Sequence, residues 1–200
     1  MGSEKSYLTL DIETVPVIRD SSVQEYLEDK EYEIAAHPVF SKVMVVGTKE
    51  NGREPKIFCG ENEKEVLNNF WEYCSNGYRK KFDRIVTFNG YKFDIPFLNV
   101  RTLANGIPMS STVRLNTNIW RMRESNHFDC MLALAQVNKF AWVKLEVACK
   151  QLGIEVPEIK SRIRTEDLIK CYERGDWETI REYNKTDLNL TEKLYNKIGY

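Results

Sequence analysis

The sequence predicts a single α/β domain built on a mixed five-stranded sheet flanked by helices. Three observations lead there. Five short segments carry strand signals, and two of them flank Asn51-Gly52, a tight-turn dipeptide that makes them an antiparallel hairpin. Strand-like and helix-like stretches follow one another in the order strand, hairpin, helix, strand, helix, strand, helices, the order of an α/β domain. The length of 200 residues and the 42% hydrophobic content suit one core. No repeat, low-complexity tract or linker interrupts the chain. Residues 1–200 therefore read as one domain, with 1–6 a short leader and 15–42 an elaborated connection.

The first strand is Tyr7–Thr14, where Leu8, Leu10 and Ile12 alternate with Tyr7, Thr9, Asp11 and Glu13. After a polar stretch with a short helix around Ser22–Lys30 come the hairpin strands Lys42–Glu50 and Pro55–Cys59. Glu61–Ser75 is helical, with Val66, Leu67, Phe70, Trp71 and Cys74 at three-to-four spacing and a capping box from Asn62 and Glu65. Arg84–Phe88 is a strand ending at Asn89-Gly90. The following helix carries Ile95, Phe97, Leu98 and Leu103 and stops at Asn105-Gly106 and Pro108. Residues 109–126 are expected to form a loop. Phe128–Leu134 reads as a strand that ends near Asp129 or runs into a helix. Lys144–Leu152, Thr165–Arg174 and Asp176–Ile198 are helical, with Gly153 and Gly175 as stops.

Composition excludes several classes. The apolar runs are too short to cross a bilayer, and no signal peptide is visible. Residues Met1–Ser6 match the N-myristoylation pattern but have no polybasic helper, so the match reads as chance or as a leader. Five widely spaced cysteines without a CxxC pair indicate reduced, mostly buried thiols in a cytoplasmic protein. A net charge of −1 gives no broad cationic face, so a nucleic-acid ligand would be held by a local site and by metal.

The chemistry is concentrated in a few acids. Period two puts Asp11 and Glu13 on the same strand face, where they repel each other and call for a compensating charge, a divalent cation being the simplest. The alternative is an edge strand whose acids point into water. On the last helix, Ile180, Tyr183, Asp187, Leu190, Leu194 and Ile198 share one face, so Asp187 sits inside an apolar stripe with Tyr183 one turn before it. Such an aspartate is costly unless paired, protonated or metal-bound; the bland reading is a stripe margin that reaches water. Asp94 precedes a helix with Pro96 in its first turn, and its local role is an N-cap. A place in the same site requires its side chain to turn towards the sheet.

Asp11-x-Glu13-Thr14, then Asn89-Gly90-x-x-Phe93-Asp94-x-Pro96-Phe97-Leu98, then Tyr183-x-x-x-Asp187 resembles the three-motif signature of the DEDD 3′–5′ exonucleases, which have a ribonuclease-H-like fold. The Tyr before the last Asp is similar to the DEDDy branch, which includes the proofreading domains of B-family DNA polymerases. The sister branch has His where Glu182 stands here. The stretches His37–Val43 and His127–Met131 further resemble stand-alone, polymerase-B-like exonucleases. The resemblance spans residues 7 to 191.

It implies that Asp11, Glu13, Asp94 and Asp187 bind metal and that Tyr183 orients the attacking water. Thr14, Asn89 and Phe93 would line the pocket of the 3′-terminal nucleotide, although a Phe beside an aliphatic run is more often core. Asp129 is expected to be a supporting residue at the end of the fifth strand. Arg114, Arg121 and Arg123 hold phosphates or belong to a solvated loop. Oxygen ligands favour two Mg²⁺ or Mn²⁺ ions in a two-metal hydrolysis that releases nucleoside 5′-monophosphates. The expected substrate is single-stranded DNA. An exoribonuclease is the nearest rival, and a catalytically silent nucleic-acid-binding module the more distant one.

Overall fold

The computed structural model describes residues 6–18, 20–28, 34–75, 83–108, 126–135 and 142–198. The expected loop at 109–126, with Arg114, Arg121 and Arg123, lies outside these residues apart from its last position. Five strands form one sheet in the order β3-β2-β1-β4-β5: β1 Tyr7–Pro16, β2 Ser41–Glu50, β3 Lys56–Cys59, β4 Arg84–Thr87 and β5 His127–Asp129. β1 pairs antiparallel with β2 and parallel with β4; β2 and β3 are the antiparallel hairpin, and β4 and β5 are parallel. Gly52 at the hairpin turn has φ 71°, a conformation that costs a glycine least. The mixed sheet of a ribonuclease-H-like fold is thus present as expected.

The helices are α1 Ser21–Glu28, α2 Glu63–Ser75, α3 Asp94–Ala104, α4 Cys130–Ala135, α5 Leu145–Gln151, α6 Ile159–Arg162, α7 Thr165–Glu173 and α8 Trp177–Ile198. Ile34–Ala36 makes a one-turn 3₁₀ helix. None of the described helices is long and apolar enough to cross a membrane.

Several boundaries differ from the sequence reading. β1 runs on to Pro16, because a register shift between Glu13 and Thr14 lets Val15 and Pro16 continue the ladder onto Lys42 and Ser41. The connection expected at 15–42 therefore begins and ends inside the sheet. β5 has only three residues and runs directly into α4, since the Asp129 carboxylate accepts the backbone N–H groups of Met131 and Leu132 and so starts a helix there. α2 begins at Glu63, and only the Asn62 half of the expected capping box forms, with Glu65 N donating to Asn62 Oδ1 at 3.4 Å. The single turn α6 has no periodicity for a sequence reading to detect.

The two sheet faces differ in kind. Leu10 and Ile12 of β1 turn to one face and pack with Val66, Leu67 and Phe70 of α2 and Ile95, Phe97 and Leu98 of α3. A hydrogen bond from Trp71 Nε1 to Thr102 Oγ1 ties those helices together. The opposite face receives α8, and here the packing divides. Leu190, Leu194 and Tyr195 join Tyr7, Val86, Leu145 and Cys149 towards the helix C-terminus. Ile180 joins Val15, Met44, Val45, Leu168 and Cys171 towards its N-terminus. Tyr183 packs against the Ile180 cluster, and Asn184 and Asp187 follow it on α8 before Leu190 and Leu194.

Candidate active site

The gap between the two clusters is where the acids meet. The pleat of β1 aims Asp11 and Glu13 away from the α2–α3 core and towards α8, which supplies Asp187. One carboxylate oxygen from each of Asp11, Glu13 and Asp187 lies within 4.8 Å of the others. Asp187 is 7% exposed, as its position in the apolar stripe suggests, while Asp11 and Glu13 retain partial access to solvent.

Asp94 reaches the site by another route. Phe93 takes the N-cap position without a side-chain cap hydrogen bond and Asp94 is the first residue of α3, so Asp94 does not fill the N-cap role expected of it. The Asp94 side chain turns to the sheet, where Oδ1 accepts the Ile12 backbone N–H at 2.9 Å. β4 pairs with β1 only over Tyr7–Thr9, which leaves the β1 edge beyond free for this contact. Asp94 thereby grips the peptide between Asp11 and Glu13. It is not one of the three acids with converging oxygens, but its charge acts on both strand acids.

The electrostatics are those of crowded acids in a poorly solvated space. Burial, then Glu13, Asp187 and Asp94, push the Asp11 carboxyl well above its ordinary range. Glu13 is raised well above its range by burial and Asp187, against the opposing effects of Lys160 and Asn184. Asp94 is pushed up to about 8, by burial first. Asp187 is raised by burial although Lys160 opposes the shift. Burial also lifts the Tyr183 hydroxyl to about 12, with the Asp187 charge next, so it remains a protonated donor at neutral pH.

Two contributors, Lys160 and Asn184, were not foreseen from the sequence, while Asp129 takes the supporting place expected of it. Lys160, on α6, brings Nζ to 2.9 Å from both Asp187 oxygens, donating to Oδ2, and lies 3.5 Å from the Tyr183 ring centroid. Asn184 Nδ2 donates to Asp11 Oδ2 at 2.7 Å. Asp129 accepts four backbone N–H groups, from Asn89 and Tyr91 on one side and Met131 and Leu132 on the other, and so anchors the loop that delivers Asp94. Lys160 and Asn184 carried no local signal, whereas Asp129 did, as an acid at the junction of strand and helix.

The residues expected around a terminal nucleotide are placed unequally. Asn89 leads into α3 with φ 67°, and its Oδ1 has no partner among the described residues. Phe93 is half-buried with its ring 5.4 Å from that of Phe97, on the margin of the α2–α3 core. Thr14 is buried and its hydroxyl donates to the Ala35 carbonyl at 2.6 Å, holding the 3₁₀ turn against β1. His127 is part of the scaffold: its ring stacks on Tyr91 at 4.0 Å and its Nε2 is 2.8 Å from Thr87 Oγ1.

The donor set suits a hard dication. Converging carboxylate oxygens are chemically matched to Mg²⁺ or Mn²⁺, and the side chains seen to compensate Asp11 and Asp187 are the Asn184 amide and the Lys160 ammonium. The acids outnumber these donors, so added positive charge would lower the energy of the ionised site.

Residues 34–199 match the family described as "Predicted 3'-5' exonuclease related to the exonuclease domain of PolB". That segment contains Asp94, Tyr183 and Asp187 and begins after Asp11 and Glu13. The DNA polymerase epsilon catalytic subunits A of Emericella nidulans and Aspergillus fumigatus are each 28% identical over 147 residues, which is 70% of this chain and 6% of theirs. The family B DNA polymerase of the hyperthermophilic archaeon Pyrobaculum calidifontis has a similar fold, with a TM-score of 0.67 and 18% identity over 98% of this chain and 24% of that one. The chain thus spans a small fraction of the length of each of these proteins.

Proposed function

Because the chain belongs to the family of 3′–5′ exonucleases related to the exonuclease domain of PolB, we propose that it hydrolyses single-stranded DNA from the 3′ end as a DEDDy-type nuclease and releases nucleoside 5′-monophosphates. The observation that carries this reading is the convergence of Asp11, Glu13 and Asp187 within 4.8 Å, with Tyr183 one turn before Asp187. The preference for DNA over RNA rests on the similarity to DNA polymerases.

Asp11, Glu13, Asp94 and Asp187 would hold two Mg²⁺ or Mn²⁺ ions, which when bound supply the positive charge and the activated water that phosphodiester cleavage needs. The protein's own groups do the rest. Tyr183 stays protonated and is a poor base, so its hydroxyl orients a water by hydrogen bonding. Lys160 favours the anionic form of Asp187 and offers a cation to the non-bridging oxygens of a scissile phosphate. Asp94 fixes the β1 backbone between Asp11 and Glu13, keeping both carboxylates in one register. Asn89 and Phe93 flank the terminal nucleotide, and Thr14 shapes that pocket by holding the 3₁₀ turn.

The test uses 5′-labelled single-stranded DNA and RNA of one sequence, with Mg²⁺, Mn²⁺ or EDTA. A descending ladder on DNA that disappears in EDTA is the expected result. A ladder confined to RNA would reassign the substrate to the exoribonuclease class. Binding without cleavage under all metal conditions would reduce the protein to a silent module.

A further inference from the structure

Asn184 is fully buried on α8, among Ile180, Asp187, Leu188 and Thr191. A carboxamide in an apolar interface is unfavourable unless it is hydrogen-bonded. Its Nδ2 donates to Asp11 Oδ2 at 2.7 Å. Its Oδ1 has no donor among the described residues. The amide is therefore held in place by its N–H side, the side that faces the acids.

The room for this amide comes from Gly47. In the β1–β2 ladder Gly47 stands directly opposite Asp11, and antiparallel partners project side chains on the same face. A Cβ at position 47 would overlap the Asn184 carboxamide oxygen and lie 2.9 Å from Leu188 Cδ1. Gly47 is not one of the glycines with positive φ, so its backbone conformation does not call for glycine. A glycine inside a strand marks the close approach of another group, and that group is Asn184.

We propose that Asn184 and Gly47 form one positioning unit that holds the Asp11 carboxylate in the orientation that accepts a divalent cation. The inference rests on the metal-dependent reading of the site and goes beyond it by assigning the device that arranges one of the ligands. Hydrogen bonds to ligating carboxylates ordinarily influence metal affinity about 10–100-fold.

The experiment measures Mn²⁺ affinity by calorimetry, together with melting temperature in EDTA, for the wild type, Asn184→Leu, Asn184→Ala, Gly47→Ala and the Gly47→Ala/Asn184→Ala double variant of the full chain. Asn184→Leu should weaken Mn²⁺ binding roughly ten-fold or more. Asn184→Ala removes the amide without adding bulk and gives the same reading should the leucine variant fail to fold. Gly47→Ala should weaken binding to a similar degree by displacing the amide. In the Asn184→Ala background the methyl meets only the movable end of Leu188, at 2.9 Å, and it should add little to the loss of Mn²⁺ binding. A purely structural pair would lower the melting temperature and leave Mn²⁺ affinity unchanged, which overturns the proposal. So does an equal Gly47→Ala cost in both backgrounds. Failure of the wild type to bind Mn²⁺ overturns the metal-dependent reading itself, and this inference with it.

Discussion

Glu63 and Asp187 are both buried carboxylates paired with a cation, yet they behave oppositely. Glu63 Oε1 accepts Val43 N and Arg101 Nε at 2.7 and 2.8 Å; Oε2 accepts Arg101 Nη2 and Asn105 Nδ2 at 2.6 and 2.9 Å. Burial would raise its pKa, but these donors together bring it below the usual range. Asp187 has Lys160 at 2.9 Å and remains raised, because burial prevails over it and the Glu146 charge adds to the shift. The difference is one of donor supply. Glu63 is a satisfied staple joining α2, β2 and α3, whereas Asp187 belongs to a set of acids short of positive charge. Unsatisfied charge of that kind is characteristic of sites that bind or react.

The largest effect should come from removing an acid on the unsatisfied side. Asp11→Ala or Asp94→Ala should lower the cleavage rate at least ~10³-fold with the fold retained. More than a tenth of wild-type rate in either variant, in a single-turnover assay, would remove these residues from the catalytic set.

On the satisfied side the effect should fall on stability instead. Glu63→Ala leaves the Arg101 guanidinium, the Asn105 amide and the Val43 N–H without their shared acceptor. It should cost about 3 kcal/mol, or roughly 6–12 °C in Tm for a chain of this size. Cleavage well below the melting point should be unchanged. If Glu63→Ala instead abolishes cleavage while melting like wild type, the contrast drawn between the two carboxylates is wrong.

Tyr183→Phe sharpens the comparison within the site. It keeps the ring beneath Lys160 and removes only the hydroxyl, so the rate should fall ~10–10³-fold with little change in metal affinity. Equal losses of rate and Mn²⁺ binding, measured side by side, would make Tyr183 part of the metal-holding scaffold.

The remaining expected effect is a difference in pH dependence. Asp94 titrates near 8 in the folded chain against about 3.9 when unfolded. The folded state binds the extra proton between those values, so without metal stability is lost as pH rises from about 5 to 8. Glu63 has the opposite sign: its contribution is present above the ordinary glutamate pKa and is lost as pH falls below it. Melts in EDTA at pH 5.5 and 8 should therefore show a lower Tm at pH 8, and Asp94→Asn should flatten the slope. Excess Mg²⁺ should reverse it, since binding needs ionised carboxylates. A wild-type Tm in EDTA that climbs over this window would mean that the acids are already ionised comfortably without metal.

Much of this arrangement is legible from local pattern. Period two put Asp11 and Glu13 on the same face of β1, and the three-to-four spacing of α8 placed Asp187 in a buried stripe one turn after Tyr183. Both are properties of the backbone repeat, which neighbouring residues reveal on their own. Asn51-Gly52 likewise specified the hairpin, because a tight turn is a local conformation. Tertiary packing decided the rest. Asn184 and Asp11 are 173 positions apart, Lys160 and Asp187 are 27 apart on different helices, and Gly47 meets Asn184 only because α8 crosses β2 there. Asp94 read locally as an N-cap; the early end of β4 at Thr87 left a free backbone N–H on β1 for its carboxylate. Periodicity reports which way a side chain points from its own element. What it meets depends on how elements far apart in the chain are brought together, and that determines which buried acids are satisfied and which are left in need of a cation.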